Sequence, residues 1–163
     1  MSDFYTEQLI KKQKGNREMF MMLGVIALLI LGIMALLVSA LGIIVMLAAV
    51  IIGVIVLRQM NLEYEYLFVN GDFDVDKIMN KARRKRAFSM NVSDLEILAP
   101  EHAAELKSYK NLKALDYSSG NKDARRYGMV VAERGQKTMI IFEPNDTIVE
   151  GFFMLAPRKV IRK

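Results

Sequence analysis

The chain has 163 residues, 53% of them apolar, with a net charge of +5, one histidine and no cysteine. The missing cysteine excludes disulfides and thiolate zinc sites and fits a reducing cytosol. Once the apolar stretch near the start is set aside, about a hundred residues remain, enough for one small domain with its own core.

In chain order, residues 1–18 form a cytosolic segment with two readings. Over Ser2 to Arg17, Phe4, Tyr5, Leu9 and Ile10 fall on one side of a short amphipathic helix, with Glu7, Lys11 and Lys14 nearer the other. Such a helix would lie at a membrane interface. Alternatively the segment is a tail whose lysines only set topology.

Met19 to Leu57 carries no charge, and its only clearly polar side chain is Ser39. A continuous helix of that length, at 1.5 Å per residue, would be about 58 Å long, twice the ~30 Å hydrocarbon core of a bilayer. The run must fold back, and Val38-Ser39-Ala40-Leu41-Gly42 is the natural break. This predicts two transmembrane helices, about 19–37 and 41–57. Buried helices of soluble proteins seldom lack polar residues on every face for so long. The stretch also exceeds the ~7–15 apolar residues of a signal peptide. Gly42, Ala49 and Gly53 lie near one stripe of the second helix, and Gly24, Gly32 and Ala35 can do likewise on the first, so close packing across the hairpin is expected; a homodimer seam would look the same. No ionisable group sits inside the run, which argues against transport.

Lys11, Lys12, Lys14 and Arg17 precede the first span, while Arg58 and Lys81-Ala-Arg-Arg-Lys-Arg86 follow the second. By the positive-inside rule this predicts a multi-pass protein of the cell membrane with both termini cytoplasmic.

Residues 58–163 read as a cytosolic β domain. Leu62 to Val69 and Asp72 to Met79 alternate around Asn70-Gly71, which supplies the positive φ angles of a two-residue hairpin turn. If Val69 faces Asp72, then Phe68 faces Phe73 and Tyr66 faces Val75. Tyr64, Tyr66, Phe68, Phe73 and Val75 then share an apolar face. The other face opposes Glu65 and Asp76, which requires a basic neighbour or open solvent. Asp72, Asp74 and Asp76 imitate the opening of a calcium loop, but the sixth position is Lys77 where such a loop needs glycine, so no metal is expected.

Arg83 to Ser89 reads as a third strand continuing through Val92 to Leu98 before Pro100. Glu101 to Tyr109 has helical composition, Leu112 to Tyr117 reads as a short strand, and Ser118 to Asp123 as a loop. Tyr127 to Glu133 and Lys137 to Phe142 form a second hairpin around Gly135. Ile148, Val149, Phe152, Phe153 and Leu155 recur at helical spacing over about 146–156, after the good N-caps Asn145 or Asp146 and before Pro157.

This order predicts a transmembrane helical hairpin followed by an α+β domain. The domain is an antiparallel barrel or roll of about six to seven strands, capped by a C-terminal helix as in pleckstrin-homology-like (PH-like) barrels. The chain also resembles a bacterial family defined only as a domain of unknown function, in which two spans precede such a domain. The resemblance is carried by Glu7-Gln8-Leu9-Ile10-Lys11-Lys12, Asn70-Gly71-Asp72 with Asp76-Lys77-Ile78, Arg83-Arg84-Lys85-Arg86, Glu96-Ile97-Leu98-Ala99-Pro100, Ile141-Phe142-Glu143-Pro144 and Pro157-Arg158-Lys159-Val160. It implies architecture and membrane location, and it brings no activity, cofactor or catalytic residue.

An enzyme is not expected. His102 is the only histidine, and no nucleotide-binding or nucleophile motif occurs. No reading helix or base-stacking motif accompanies the basic run, so nucleic acid is not expected either. The composition points to a membrane-anchored binding or scaffolding module, the alternative being a non-catalytic subunit of a membrane enzyme or transport complex. Its partners would be the bilayer, anionic lipid headgroups, or a membrane or cytosolic protein. The candidate contact is Lys81, Arg83, Arg84, Lys85 and Arg86. Either these residues meet anionic headgroups or they balance Glu65, Asp74 and Asp76 on the neighbouring hairpin. Alternation sends Arg83 and Lys85 one way and Arg84 and Arg86 the other, so one pair is expected to be structural and the other to face outward.

Overall fold

The computed structural model describes residues 4–13, 15–133 and 135–162, without the side chains of Arg17, Arg58, Gln59 and Met60. Of the basic residues used for topology, Lys14 and those of Arg17 and Arg58 therefore lie outside the described set.

The chain opens with a strand, β1 (Tyr5–Lys11), and not with the amphipathic helix or tail expected there. The reason is non-local. The next strand, β2 (Leu62–Val69), offers a full edge, and β1 pairs with it antiparallel from Tyr5↔Val69 to Lys11↔Glu63. Thr6, Gln8 and Ile10 turn inward, Tyr5, Glu7, Leu9 and Lys11 turn outward, and Phe4 packs edge-on against Phe68 with ring centroids 5.7 Å apart.

Between these paired strands stand two helices, α1 (Asn16–Val38) and α2 (Gly42–Met60). The Gly15 N–H donates to Glu18 Oε2 at 2.9 Å, which satisfies one of the free donors at the start of α1. The break falls at Ser39, whose Oγ accepts from the Leu41 N–H. The helices run antiparallel in contact. A side chain at Gly32 would meet Met46, one at Gly53 would meet Val25, and one at Gly42 would collide with the backbone of Ala35 and Leu36. Gly24, expected in the same seam, has nothing within 4 Å on its open side. Glu18–Val38, 21 residues of mean hydropathy 3.0, is long and apolar enough to cross a membrane by length and composition; the apolar part of α2, Gly42–Leu57, is shorter.

β2 then pairs with β3 (Asp72–Met79) in the register read from the sequence, with Phe68↔Phe73, Tyr66↔Val75 and Glu65↔Asp76. The turn is made by Asn70 and Gly71, both at positive φ. β4 (Arg83–Asn91) completes a sheet of order β1-β2-β3-β4. The strand expected to run on to Leu98 is interrupted. Asn91 Oδ1 accepts from the Ser93 N–H at 2.9 Å, and a 3-10 turn over Val92–Asp94 redirects the chain.

The second sheet is β5 (Leu95–Pro100), β6 (Ala114–Asp116), β7 (Tyr127–Glu133) and β8 (Gln136–Phe142), in the order β5-β7-β8-β6. The helix expected over Glu101–Tyr109 is a 3-10 segment, Ala104–Tyr109. Among the described residues, eight strands in two four-stranded sheets that do not close into a barrel thus stand in place of the expected barrel or roll of about six to seven strands.

The last helix, α3 (Asp146–Leu155), is capped by Asn145, whose Oδ1 accepts from the Ile148 N–H. Its Phe152 lies 4.7 Å from Phe68 and 5.3 Å from Phe73, and Gly151 lets it approach the rings of Phe4 and Phe68. Tyr66, Phe68, Phe73, Phe142 and Phe152 are fully buried, so the apolar face predicted for the first hairpin is the floor of the core. Tyr66 spans the sandwich: its hydroxyl donates to the Tyr117 carbonyl at 2.7 Å, and burial pushes its phenol well above the ordinary value.

Candidate functional site

The outer face of β2, β3 and β4 carries the opposed acids. Glu65 is buried, and burial raises its carboxyl above the ordinary range; Arg84 pulls the other way, and Glu7 and Asp76 add to the rise. Arg84 reaches Glu65 at 2.7 Å, while Arg86 reaches Asp74 at 2.8 Å and Asp76 at 3.1 Å. Ser89 donates to Asp74 and Asn91 to Asp72. The three aspartates that imitate a calcium loop are thus each engaged by a side chain of β4. Among the described residues, no three His, Asp or Glu side chains converge as metal ligands would.

One irregularity decides which basic residues do this. Val75 pairs with Phe88 but Asp76 pairs with Arg86, so Ala87 is an extra residue in β4. A bulge of one residue reverses the alternation beyond it. Without it, Arg84 and Arg86 would turn to the inner side of the sheet. With it they join the acids, and Lys85 turns inward opposite Lys77.

Among the described residues, Lys77, Lys81, Arg83 and Lys85 make no ion pair with a carboxylate. Lys81 lies in the β3–β4 turn, where Asn80 and Lys81 both adopt positive φ, and Arg83 opens β4 directly after it. That turn abuts the root of the helical hairpin: the Asn80 N–H donates 2.7 Å to the carbonyl of Asn61, the residue that ends α2. Lys77, Met79, Lys85, Arg86 and Ala87 line a cleft of about 450 Å³ beside it. Lys11 and Lys12, at the end of β1, lie across from Glu63 and Leu62 at the same end of the sheet. Of the five residues singled out in the sequence, the structure places two in an internal ion network and three, Lys81, Arg83 and Lys85, at the end from which the helices emerge. Lys77, which the sequence marks only as the residue that rules out a calcium loop, is not among the five; its signal was a lysine at a position whose strand neighbours Phe73 and Val75 are core. His102 is exposed on the segment after β5, away from these groups.

Two sheets packed over an aromatic core, closed by a C-terminal helix and interrupted between the first two strands by an apolar helical pair, make this a PH-like domain with a helical insertion. The chain belongs to the bacterial PH-like domain family DUF6106, whose profile matches residues 2–162. Searches of curated proteins and of solved structures found no match.

Several of the motif residues meet in space. The Gln8 amide donates to the Glu143 carbonyl at 2.8 Å and accepts from the Asn145 N–H at 2.7 Å. The Glu143 carboxylate in turn accepts from the N–H and hydroxyl of Ser119, both at 2.8 Å. These contacts pin β1 to the junction of β8 and α3, and the Gln13 N–H bond to the Ser119 carbonyl extends the pin to the root of α1.

Proposed function

We propose that the chain is a membrane-anchored binding or scaffolding module, held by the α1–α2 hairpin and presenting its PH-like domain at the inner surface of the cell membrane. The observation that carries this reading is the pairing of β1 with β2 along their whole length on either side of the hairpin. The chain leaves the domain and returns to it at the same edge, so any crossing by α1 must be matched by a return through α2. Only 6% of the apolar window of α1 is buried within the protein, and Leu37 and Val38 at its tip are among the most exposed apolar residues described. Such a surface is costly in water and ordinary in hydrocarbon. The 16 apolar residues of α2 extend about 24 Å, short of a typical core, which local thinning and snorkelling of flanking side chains accommodate. The basic residues at the hairpin root, Lys11, Lys12 and Lys81 among them, support a cytoplasmic placement of that side.

Replacing residues 15–60 with a short Gly-Ser linker tests the anchor, since Lys11 and Glu63 already sit opposite each other. The full chain is expected to float with membranes in a density gradient and to resist carbonate extraction. The linked chain is expected to be soluble and folded. Continued flotation of the linked chain would remove the hairpin from the anchoring role.

A further inference from the structure

We propose that Lys77 and Lys85, with the charge of Lys81 in the adjoining turn and Arg83 at the start of β4 beside them, form a phosphate site for the headgroup of an anionic phospholipid in the leaflet where the hairpin is rooted. This rests on the membrane-anchored reading and names the ligand of its basic end.

Like charges directly opposed in an antiparallel ladder repel. Among the described residues the domain contains two such pairs, treated differently. Glu65 and Asp76 are opposed on the outer face, and Arg84 and Arg86 lie over them. Lys77 and Lys85 are opposed on the inner side, and among the described residues no carboxylate pairs with either. Asp116, which lies near Tyr64 across the sandwich, accepts from the Ser118 N–H and forms no ion pair with these lysines. Lys77 is also half-buried, which makes a missing counter-charge more costly than at an open position. The complement this pair calls for is an anion from outside the chain.

The surroundings select its kind. The cleft of about 450 Å³ beside the lysines also has Met79, Ala87 and the ion-paired Arg86 in its walls, room for a phosphate with an attached glycerol. The ammonium groups of Lys77 and Lys85 supply point charges to phosphate, and Lys81 and Arg83, close by in the chain but outside the walls of the cleft, add to the local positive charge. The strands that carry the cleft end in the turn hydrogen-bonded to Asn61 at the foot of α2. A headgroup tethered by its acyl chains is therefore at hand, whereas an acidic peptide would have to enter between the domain and the bilayer.

The test uses the full chain in a mild neutral detergent, titrated with dihexanoyl phosphatidylglycerol, dihexanoyl phosphatidylcholine and inorganic phosphate. The expected result is binding of phosphatidylglycerol at least about tenfold tighter than of phosphatidylcholine. That preference should be lost in the Lys77→Gln, Lys85→Gln double variant and kept in Lys107→Gln, Lys110→Gln, which removes the same charge from the 3-10 segment and the residue that follows it. The double variant should also melt at an equal or higher temperature without lipid, because a repulsion has been removed, and phosphatidylglycerol should raise the melting temperature of the wild type alone. Wild-type binding without headgroup preference, or an undiminished preference in the double variant, overturns the site. Inorganic phosphate binding as tightly as phosphatidylglycerol overturns the lipid as its source, and capture of an acidic peptide in preference to either would make it a protein-docking site. An anchored chain lacking the preference removes this site only, whereas a linked chain that still floats removes the anchor.

Discussion

The helical hairpin and the β domain use the same apolar residues in opposite ways. In the domain, Phe68, Phe73, Phe142 and Phe152 occupy every second position of a strand or one stripe of a helix, and all are fully buried. In the hairpin, apolar residues occupy every face, and Ile33, Leu37, Ile44 and Ile51 remain more than half exposed. The domain is therefore organised by water, which drives one face of each element inward. The hairpin has no such interior. Its own contacts rest on Gly32, Gly42 and Gly53, where the helices approach closely, and most of the rest of its apolar surface is exposed.

The largest effect that sharpens this contrast is expected at Phe68. Truncation of a buried phenylalanine costs about 3–5 kcal/mol, so Phe68→Ala should largely unfold the domain. Leu37→Ala, at a side chain 84% exposed at the hairpin tip, should leave domain stability within about 0.5 kcal/mol of the wild type. The chain has six tyrosines and no tryptophan, and every tyrosine lies outside the hairpin. The tyrosine band of near-ultraviolet circular dichroism, recorded on the full chain in detergent, therefore reports the domain alone. Equal losses from the two variants would place Leu37 in a core and break the comparison.

A smaller effect is expected at Glu65, which with Asp76 and Glu143 is one of the buried carboxylates among the described residues. Its carboxyl is raised above the ordinary 4.5, chiefly by burial, so the folded state holds the proton more tightly than the unfolded chain. The stability this contributes is complete below the unfolded value and is lost as pH rises through the folded one. Glu65→Gln forfeits the bond from Arg84 as an ion pair but removes that loss. The melting temperature of the variant relative to the wild type should thus climb as pH rises from below 4.5 toward neutrality. A difference that stays level with pH would mean that burial does not govern this carboxyl.

Local patterns made the first hairpin legible to the residue, because Asn70-Gly71 pins its turn and alternation pins its faces. The second hairpin and α3 were legible for the same reason. β1 was not, since its partner is more than fifty residues away in sequence and its apolar residues fit a helix as well as a strand. The pairing has a practical consequence: a fragment beginning near Gln59 lacks β1, and with it the Gln8 amide that bonds to Glu143 and Asn145. At the candidate site, the division of the basic run into an inward and an outward pair followed from alternation. Which pair went which way did not, because that is set by the bulge at Ala87, and nothing in Arg86-Ala87-Phe88 announces an extra residue.

The central claim is that the hairpin crosses a bilayer and returns, leaving the whole β domain on one side. It is tested most directly by placing single cysteines in this cysteine-free chain, Ser39→Cys at the hairpin tip and Asn121→Cys in the loop beside the root of α1, and treating intact cells with a membrane-impermeant maleimide. The account predicts labelling of the Ser39→Cys variant in intact cells and of the Asn121→Cys variant only after permeabilisation. Labelling of the Asn121→Cys variant from outside, with the Ser39→Cys variant protected, would contradict it.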